Sequence, residues 1–301
     1  MNPHAHAETR GLWLGLLGVV IFAMTLPMTR LAVGASSDPQ LTPLFVTAGR
    51  AALAGMLSLG VLCALRAPWP RADQAAALAL CAAGTVVGFP LFLSLALRDV
   101  DAMHAAVVTG VLPLGTAIAA ALYFRQRPSL GFWACAASGC ALVLWFAAHK
   151  GTGRLSLADG LLLAAVACAS IGYVAGARLA TQMSAERVIC WVLALSLPLT
   201  LPVTLANWPE QGVRASAWLG LGYVSLFSMW LGFFAWYRGL ALGGTVRVSQ
   251  VQLVQPFLAL LFAVPVLGEV LELDTVVFSL AVIGTVFLGK RMPVAATRRS
   301  P

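Results

Sequence analysis

Charge is what this sequence has least of. Only 10% of its 301 residues are Asp, Glu, Lys or Arg, against about a quarter in an ordinary soluble domain, and this excludes a water-soluble globular protein. Acidic residues are missing from the interior of every long apolar run. Asp159, Glu186 and Asp274 stand where runs begin, and Glu269 and Glu272 follow the ninth. An exporter in which cations and protons compete for one buried acid therefore has no obvious acid here. No C-x-x-C pair occurs among Cys63, Cys81, Cys135, Cys140, Cys168 and Cys190, so the spacing of a zinc or dithiol site is absent. The cysteines read as small buried apolar residues. Nor is there an H-E-x-x-H, a G-x-S-x-G, a phosphate-binding glycine loop or an intramembrane Asp pair, so nothing points to an enzyme, a metal or a cofactor.

What the chain does have is apolar sequence from end to end: 60% of residues are hydrophobic and mean hydropathy is +0.89. Bounded by charges and by Pro and Gly, the runs fall at about 11–33, 42–65, 74–97, 103–124, 130–148, 158–178, 186–206, 215–240, 245–267 and 275–290. Each approaches the roughly 20 residues that span a bilayer as a helix. The runs are apolar on every side, which excludes the alternating pattern of a membrane barrel. The first run follows a short polar start like a signal peptide, but it is too long for one and contains Arg30, so it reads as a retained span. The expectation is an all-α integral membrane protein with ten transmembrane helices.

The most polar connection, HKGTGRLSLAD at 149–159, divides the chain into halves at 1–150 and 151–301, five helices each, the second carrying a short basic tail. An odd number of spans per half makes the halves inverted with respect to each other. Shifting residues 97–124 by 143 positions pairs Leu97 with Leu240, Val108 with Val251, Val111 with Val254 and Pro113 with Pro256, which supports an internal repeat. Of 19 Lys and Arg, thirteen fall on one side, four on the other, and Arg30 and Arg50 lie inside runs. Because positive residues are retained in the cytoplasm, both termini are expected there. A net charge of +8 is thus a matter of membrane sidedness and not of nucleic-acid binding.

Two stretches carry a resemblance: ALRDVDAMHAAVVTGVLPLGT at 96–116 and WYRGLALGGTVRVSQVQLVQPFLALLFAVPVLGE at 236–269. In each, an Ala-Leu pair ends one helix, a short turn follows, and a small-residue helix contains Pro. Gly268 and Glu269 close the second, whereas Arg125, Gln126 and Arg127 occupy the corresponding place in the first, and Leu112 and Gln255 precede the prolines. The pattern resembles the EamA-type transporters of the drug/metabolite transporter superfamily. The resemblance implies movement of small metabolites, often export, with helices 1, 3, 4, 6, 8 and 9 around a central site.

Intramembrane arginines are costly, by about 2.5 to 3.5 kcal/mol on insertion scales, and are functional candidates by default. Arg50 lies nine residues into its run, too deep to reach the headgroups easily. It either binds or gates, or it caps backbone carbonyls. Arg30 is shallower, just after Pro27, and within snorkelling distance of the interface. Thr109, Pro113, Thr116 and Ala120 share one face of the fourth helix; Ser249, Gln252, Pro256 and Ala259, with Gln255 beside them, share one face of the ninth. These faces read as the walls of a midplane cavity with hinges at Pro113 and Pro256, or else as polar residues bonding between helices. On the eighth helix a Ser225, Ser228, Gly232, Trp236 stripe competes with one of Tyr223, Phe227, Trp230, Phe234 and Tyr237, and the first is preferred for the cavity. Tyr173 sits in a G-x-x-x-G frame between Gly172 and Gly176 that serves substrate contact or close packing. His104 reads as a solvated histidine.

These residues together predict a secondary transporter in a bacterial inner membrane, exporting an amino acid or related carboxylate by alternating access, with the substrate and the bilayer as its partners. A lipophilic-cation exporter and a noncatalytic membrane scaffold or assembly subunit are the alternatives.

Overall fold

Local signals in the chain set most helix boundaries. In the computed structural model, which describes residues 3–123, 127–150, 155–210, 212–243, 250–292 and 294–295, eight helices are long and apolar enough to cross a membrane: α1 Thr9–Val33, α2 Pro43–Ala64, α3 Ala72–Ala96, α4 Ala102–Tyr123, α5 Leu130–His149, α6 Leu157–Ala180, α7 Glu186–Ala206 and α8 Ala215–Gly239. Two shorter apolar helices follow, α9 Val251–Leu267 and α10 Leu273–Gly289. They occupy the ninth and tenth expected runs. Residues 245–249 of the ninth run, with Ser249, lie outside the described residues, as do Arg125, Gln126 and 151–154 of the central connection.

Helix α2 starts where the Thr42 hydroxyl accepts the Phe45 N–H at 3.1 Å and Pro43 takes the first helical position, whose N–H needs no partner. Ser156 and Asp159 bond reciprocally to cap α6. Gly268, at φ +71°, ends α9 in the left-handed conformation that favours glycine. A two-residue hairpin, β1 Gly34–Ala35 with β2 Asp38–Pro39, links α1 to α2. A second short pair, β3 Arg127–Pro128 and β4 Val294–Ala295, ties the start of α5 to the segment after α10.

The helices pair in a regular way. Helix α1 packs on α8 and α3 on α6, while α2 packs on α7, α5 on α10 and α4 on α9. Exchanging each helix with the one five later turns the first two pairs into each other and leaves the other three unchanged. Glycines allow the closest approaches. A Cβ on Gly84 would sit 2.4 Å from the Cys168 carbonyl oxygen, and one on Gly239 would sit 2.6 Å from the Gly15 amide nitrogen, so α3–α6 and α1–α8 both depend on small residues. Outward faces stay apolar, with Leu199, Leu219, Trp145 and Leu261 more than half exposed. That much exposed hydrocarbon around the whole bundle requires lipid, not water.

Four helices are irregular, in two pairs at related positions. Helix α3 widens into a π segment at Ala82–Gly88 and α8 into another at Val224–Leu231. The two begin 142 residues apart and end 143 apart. Such segments are rare and frequently functional. Helix α4 is broken at Gly110–Val111, just before Pro113, and α9 opens with a 3₁₀ turn, Gln250–Val254, just before Pro256.

Candidate functional site

A cavity of about 60 Å³, room for a few water molecules, lies where seven helices meet. Phe22, Thr25 and Leu26 come from α1, Arg50 from α2, Thr85 and Phe89 from α3, Thr109 and Leu112 from α4, Ala169 and Tyr173 from α6, Ser228, Met229 and Phe233 from α8, and Gln255 from α9. The six helices implied by the resemblance all contribute, and α2 joins them through Arg50. A smaller adjoining cavity of about 30 Å³ shares Leu26, Thr109, Leu112 and Gln255 and is closed by Pro113, Gln252 and Pro256. The broken ends of α4 and α9 thus face one another there.

Arg50 is 2% exposed. Its Nη2 donates to Ser228 Oγ at 3.1 Å, and that hydroxyl also bonds Thr25 Oγ1 at 2.8 Å. Among the described residues, Nε and Nη1 have no hydrogen-bond partner. A buried guanidinium with two unfilled donor positions is expensive unless a further acceptor arrives. Two other polar groups on the wall are bonded to their own helices: Thr85 Oγ1 donates to the Cys81 carbonyl and Thr109 Oγ1 to that of Ala105, each at 2.7 Å. Phe233 stands edge-on to Phe22 at 5.1 Å and to Tyr173 at 6.5 Å between ring centroids, forming an aromatic flank.

The geometry does not bring every candidate to this cavity. Arg30 donates to the Leu97 carbonyl, which ends α3, and lies 3.9 Å from the Asp101 carboxylate; its charge is committed at the ends of α3 and α4. Thr116 donates to the Leu112 carbonyl at 2.9 Å and lines neither cavity. On α8 the preferred stripe splits. Ser228 faces the cavity, but Ser225 donates to the Leu221 carbonyl at 2.6 Å and Trp236 packs over Gly18 of α1. The π segment is the physical reason, because its wider turn moves successive side chains off a 3.6-residue face. Tyr173 lines the cavity while its neighbour Gly172 meets Gly84 and Thr85, so the G-x-x-x-G frame packs closely and at the same time sets Tyr173 on the cavity wall. Thr25, Thr85, Phe22, Phe89, Met229 and Phe233 were not singled out by the sequence; nothing but a three-dimensional meeting of helices identifies them.

His104 is not a free, fully solvated side chain. Its ring is 14% exposed and its Nε2 lies 2.6 Å from Asp159 Oδ1, joining α4 to α6. Nearby, the Glu269 carboxylate accepts the N–H groups of Ala102 at 2.7 Å and Met103 at 2.8 Å, capping α4 from the end of α9. Burial raises the Glu269 pKa, and the two backbone bonds and Arg30 oppose that shift. These groups border a vestibule of about 780 Å³, with Asp99, Asp101 and Glu272 also on its wall.

Comparison with known proteins fits this arrangement. Residues 9–148 and 156–289 each match the EamA-like transporter family. The chain belongs to that family. It is accordingly a multi-pass membrane protein of the drug/metabolite transporter superfamily. It is 43% identical over 295 residues to the "Uncharacterized transporter YdeK" of Bacillus subtilis (strain 168), covering 97% of this chain and 98% of that one. A more distant relative is the "Probable terminal-alkyne amino-acid exporter" of Streptantibioticus cattleyicolor, 26% identical over 270 residues and covering 87% of each chain. A solved crystal structure superimposes with a TM-score of 0.63 at 17% identity, over 93% of this chain and 96% of that one, which speaks to the fold.

Proposed function

We propose that this EamA family member is an alternating-access carrier of a bacterial inner membrane that exports an amino acid or a related small carboxylate. On this reading α9 and α10 complete ten spans, the halves 1–150 and 151–301 are inverted repeats, and both termini are cytoplasmic. The carrying observation is Arg50: a buried guanidinium with free Nε and Nη1, on the wall of a cavity where both halves meet. A carboxylate supplies two acceptor oxygens in the spacing that a guanidinium fork presents. The amino-acid exporter among the relatives supports the substrate class. The cavity is too small for such a ligand as it stands, so binding requires the halves to separate at the π segments and at the breaks before Pro113 and Pro256.

Purified protein in proteoliposomes loaded with labelled amino acids, other carboxylates or lipophilic cations tests this. Efflux of carboxylates that Arg50→Gln removes is the expected result. Movement of lipophilic cations alone, or carboxylate efflux unchanged by Arg50→Gln, refutes it.

A further inference from the structure

Within the carrier reading, we infer that the preferred ligand is a monoanion whose α-position is uncharged, such as a 2-oxo acid or an N-acylated amino acid with an apolar side chain, and not a free zwitterion. Among the described residues Arg50 is the only charged one lining the cavity, and no Asp or Glu among them is on its wall. The carboxylates of the vestibule are distant and committed. Asp159 precedes Tyr173 by fourteen residues of α6, about 21 Å of helix, and its oxygens hold Ser156 and His104. Glu269 lies fourteen residues past Gln255 and caps α4.

Charge counting then separates the ligands. A monoanion on Arg50 brings the cavity to neutrality. A zwitterion satisfies the guanidinium but introduces an ammonium with no counter-charge, leaving one uncompensated positive charge in a water-poor site. What the wall offers beside Arg50 is hydroxyls, the Gln255 amide, and the rings of Phe22, Phe89, Phe233 and Tyr173, a surface for an aryl or branched alkyl group.

Matched pairs test the inference without any mutation: phenylpyruvate, N-acetylphenylalanine, phenylalanine and phenethylamine, titrated calorimetrically into detergent-purified protein. Phenylpyruvate and N-acetylphenylalanine should bind at least about tenfold more tightly than phenylalanine, the scale of one unsatisfied buried charge. Phenylalanine should improve as pH approaches its amine pKa, while phenylpyruvate stays flat. Arg50→Gln should abolish the preference; Arg50→Lys, which keeps the charge, should retain part of it. Equal or tighter binding of phenylalanine at neutral pH overturns the inference and leaves the carrier reading standing, since the aromatic faces would then be taking the ammonium. Binding of phenethylamine alone, or of none of the four, overturns both.

Discussion

Replacing Arg50 by Met should move stability and binding in opposite directions. Among the described residues Arg50 makes one hydrogen bond, to Ser228, and its Nε and Nη1 have no acceptor in a fully buried setting. A buried charge without a counter-ion is a folding liability, and replacing buried ionic groups by apolar ones of similar volume is often neutral or stabilising by about 1 to 4 kcal/mol. Met retains the unbranched stem, and the Thr25–Ser228 bond survives it. The ligand-free Arg50→Met protein should therefore unfold at the same temperature as wild type or a few degrees higher. Carboxylate binding should weaken by a factor of about 10 to 150, the equivalent of one charge-assisted hydrogen bond of about 1.5 to 3 kcal/mol. Intrinsic-fluorescence melting in detergent, with and without a carboxylate titration, reads both quantities in one experiment. A loss of about 3 to 5 kcal/mol with binding intact would show Arg50 to be a structural brace, since that is the cost of breaking a satisfied buried pair, and the functional reasoning would fail.

Ser228→Ala should weaken carboxylate binding several-fold, because it removes the one acceptor that orients the guanidinium, whereas Ser225→Ala should not, its hydroxyl being bonded within α8; calorimetric titration of both variants distinguishes them. Pro113→Ala and Pro256→Ala should restore a backbone donor at each break and slow turnover in proteoliposomes more than they weaken equilibrium binding, and equal effects on the two would count against hinges. Glu269→Ala should cost about 1 kcal/mol for the lost cap of α4, read as a lowered melting temperature. The raised pKa of Glu269 means that the folded state holds its proton to higher pH than the unfolded chain. Stability from this group therefore grows as pH falls, so wild type should gain on Glu269→Gln between about pH 7 and pH 5, and a constant or shrinking gap in melting temperature would refute the assignment. Because a bound anion neutralises Arg50, counterflow of carboxylate should outpace net efflux, and equal rates in proteoliposomes would show that the empty carrier reorients as readily as the loaded one.

The membrane helices were legible because hydropathy over 20 residues integrates many side chains, and the breaks near Pro113 and Pro256 because proline lacks a donor wherever it stands. Arg50 stood out for the same local reason: a guanidinium that far into an apolar run has few ways out. What could not be read are the contacts that join residues far apart in the chain. Arg30 meets the carbonyl of Leu97, 67 residues on, His104 meets Asp159 at 55, and Glu269 caps Ala102 from 167 away. None of these has a local signature. The misreading of α8 has a separate cause. Assigning Ser225, Ser228 and Trp236 to one face presumes an uninterrupted α-helix, and the π segment at Val224–Leu231 is not announced by any proline or glycine within it.

The scaffold is repeated, but the charge is not. Helices α2 and α7 start 143 residues apart, at Pro43 and Glu186, and α3 and α8 start 143 apart, at Ala72 and Ala215. The same shift carries Arg50 onto Leu193, a fully buried residue whose carbonyl lies against Gly55. On the proposed carrier reading, two halves of like construction would give two packings of comparable energy, which alternation between faces needs. One cation on one half, Arg50 of α2, would then hold the ligand, while the second half supplies Ser228 to Arg50 and Thr25 from across the cavity. On that reading the Arg50–Ser228 bond holds the guanidinium in place as the halves part, and its Nε and Nη1 are the donors left for a carboxylate. The symmetry of the fold would thereby serve the movement, and its single departure from symmetry would serve the recognition.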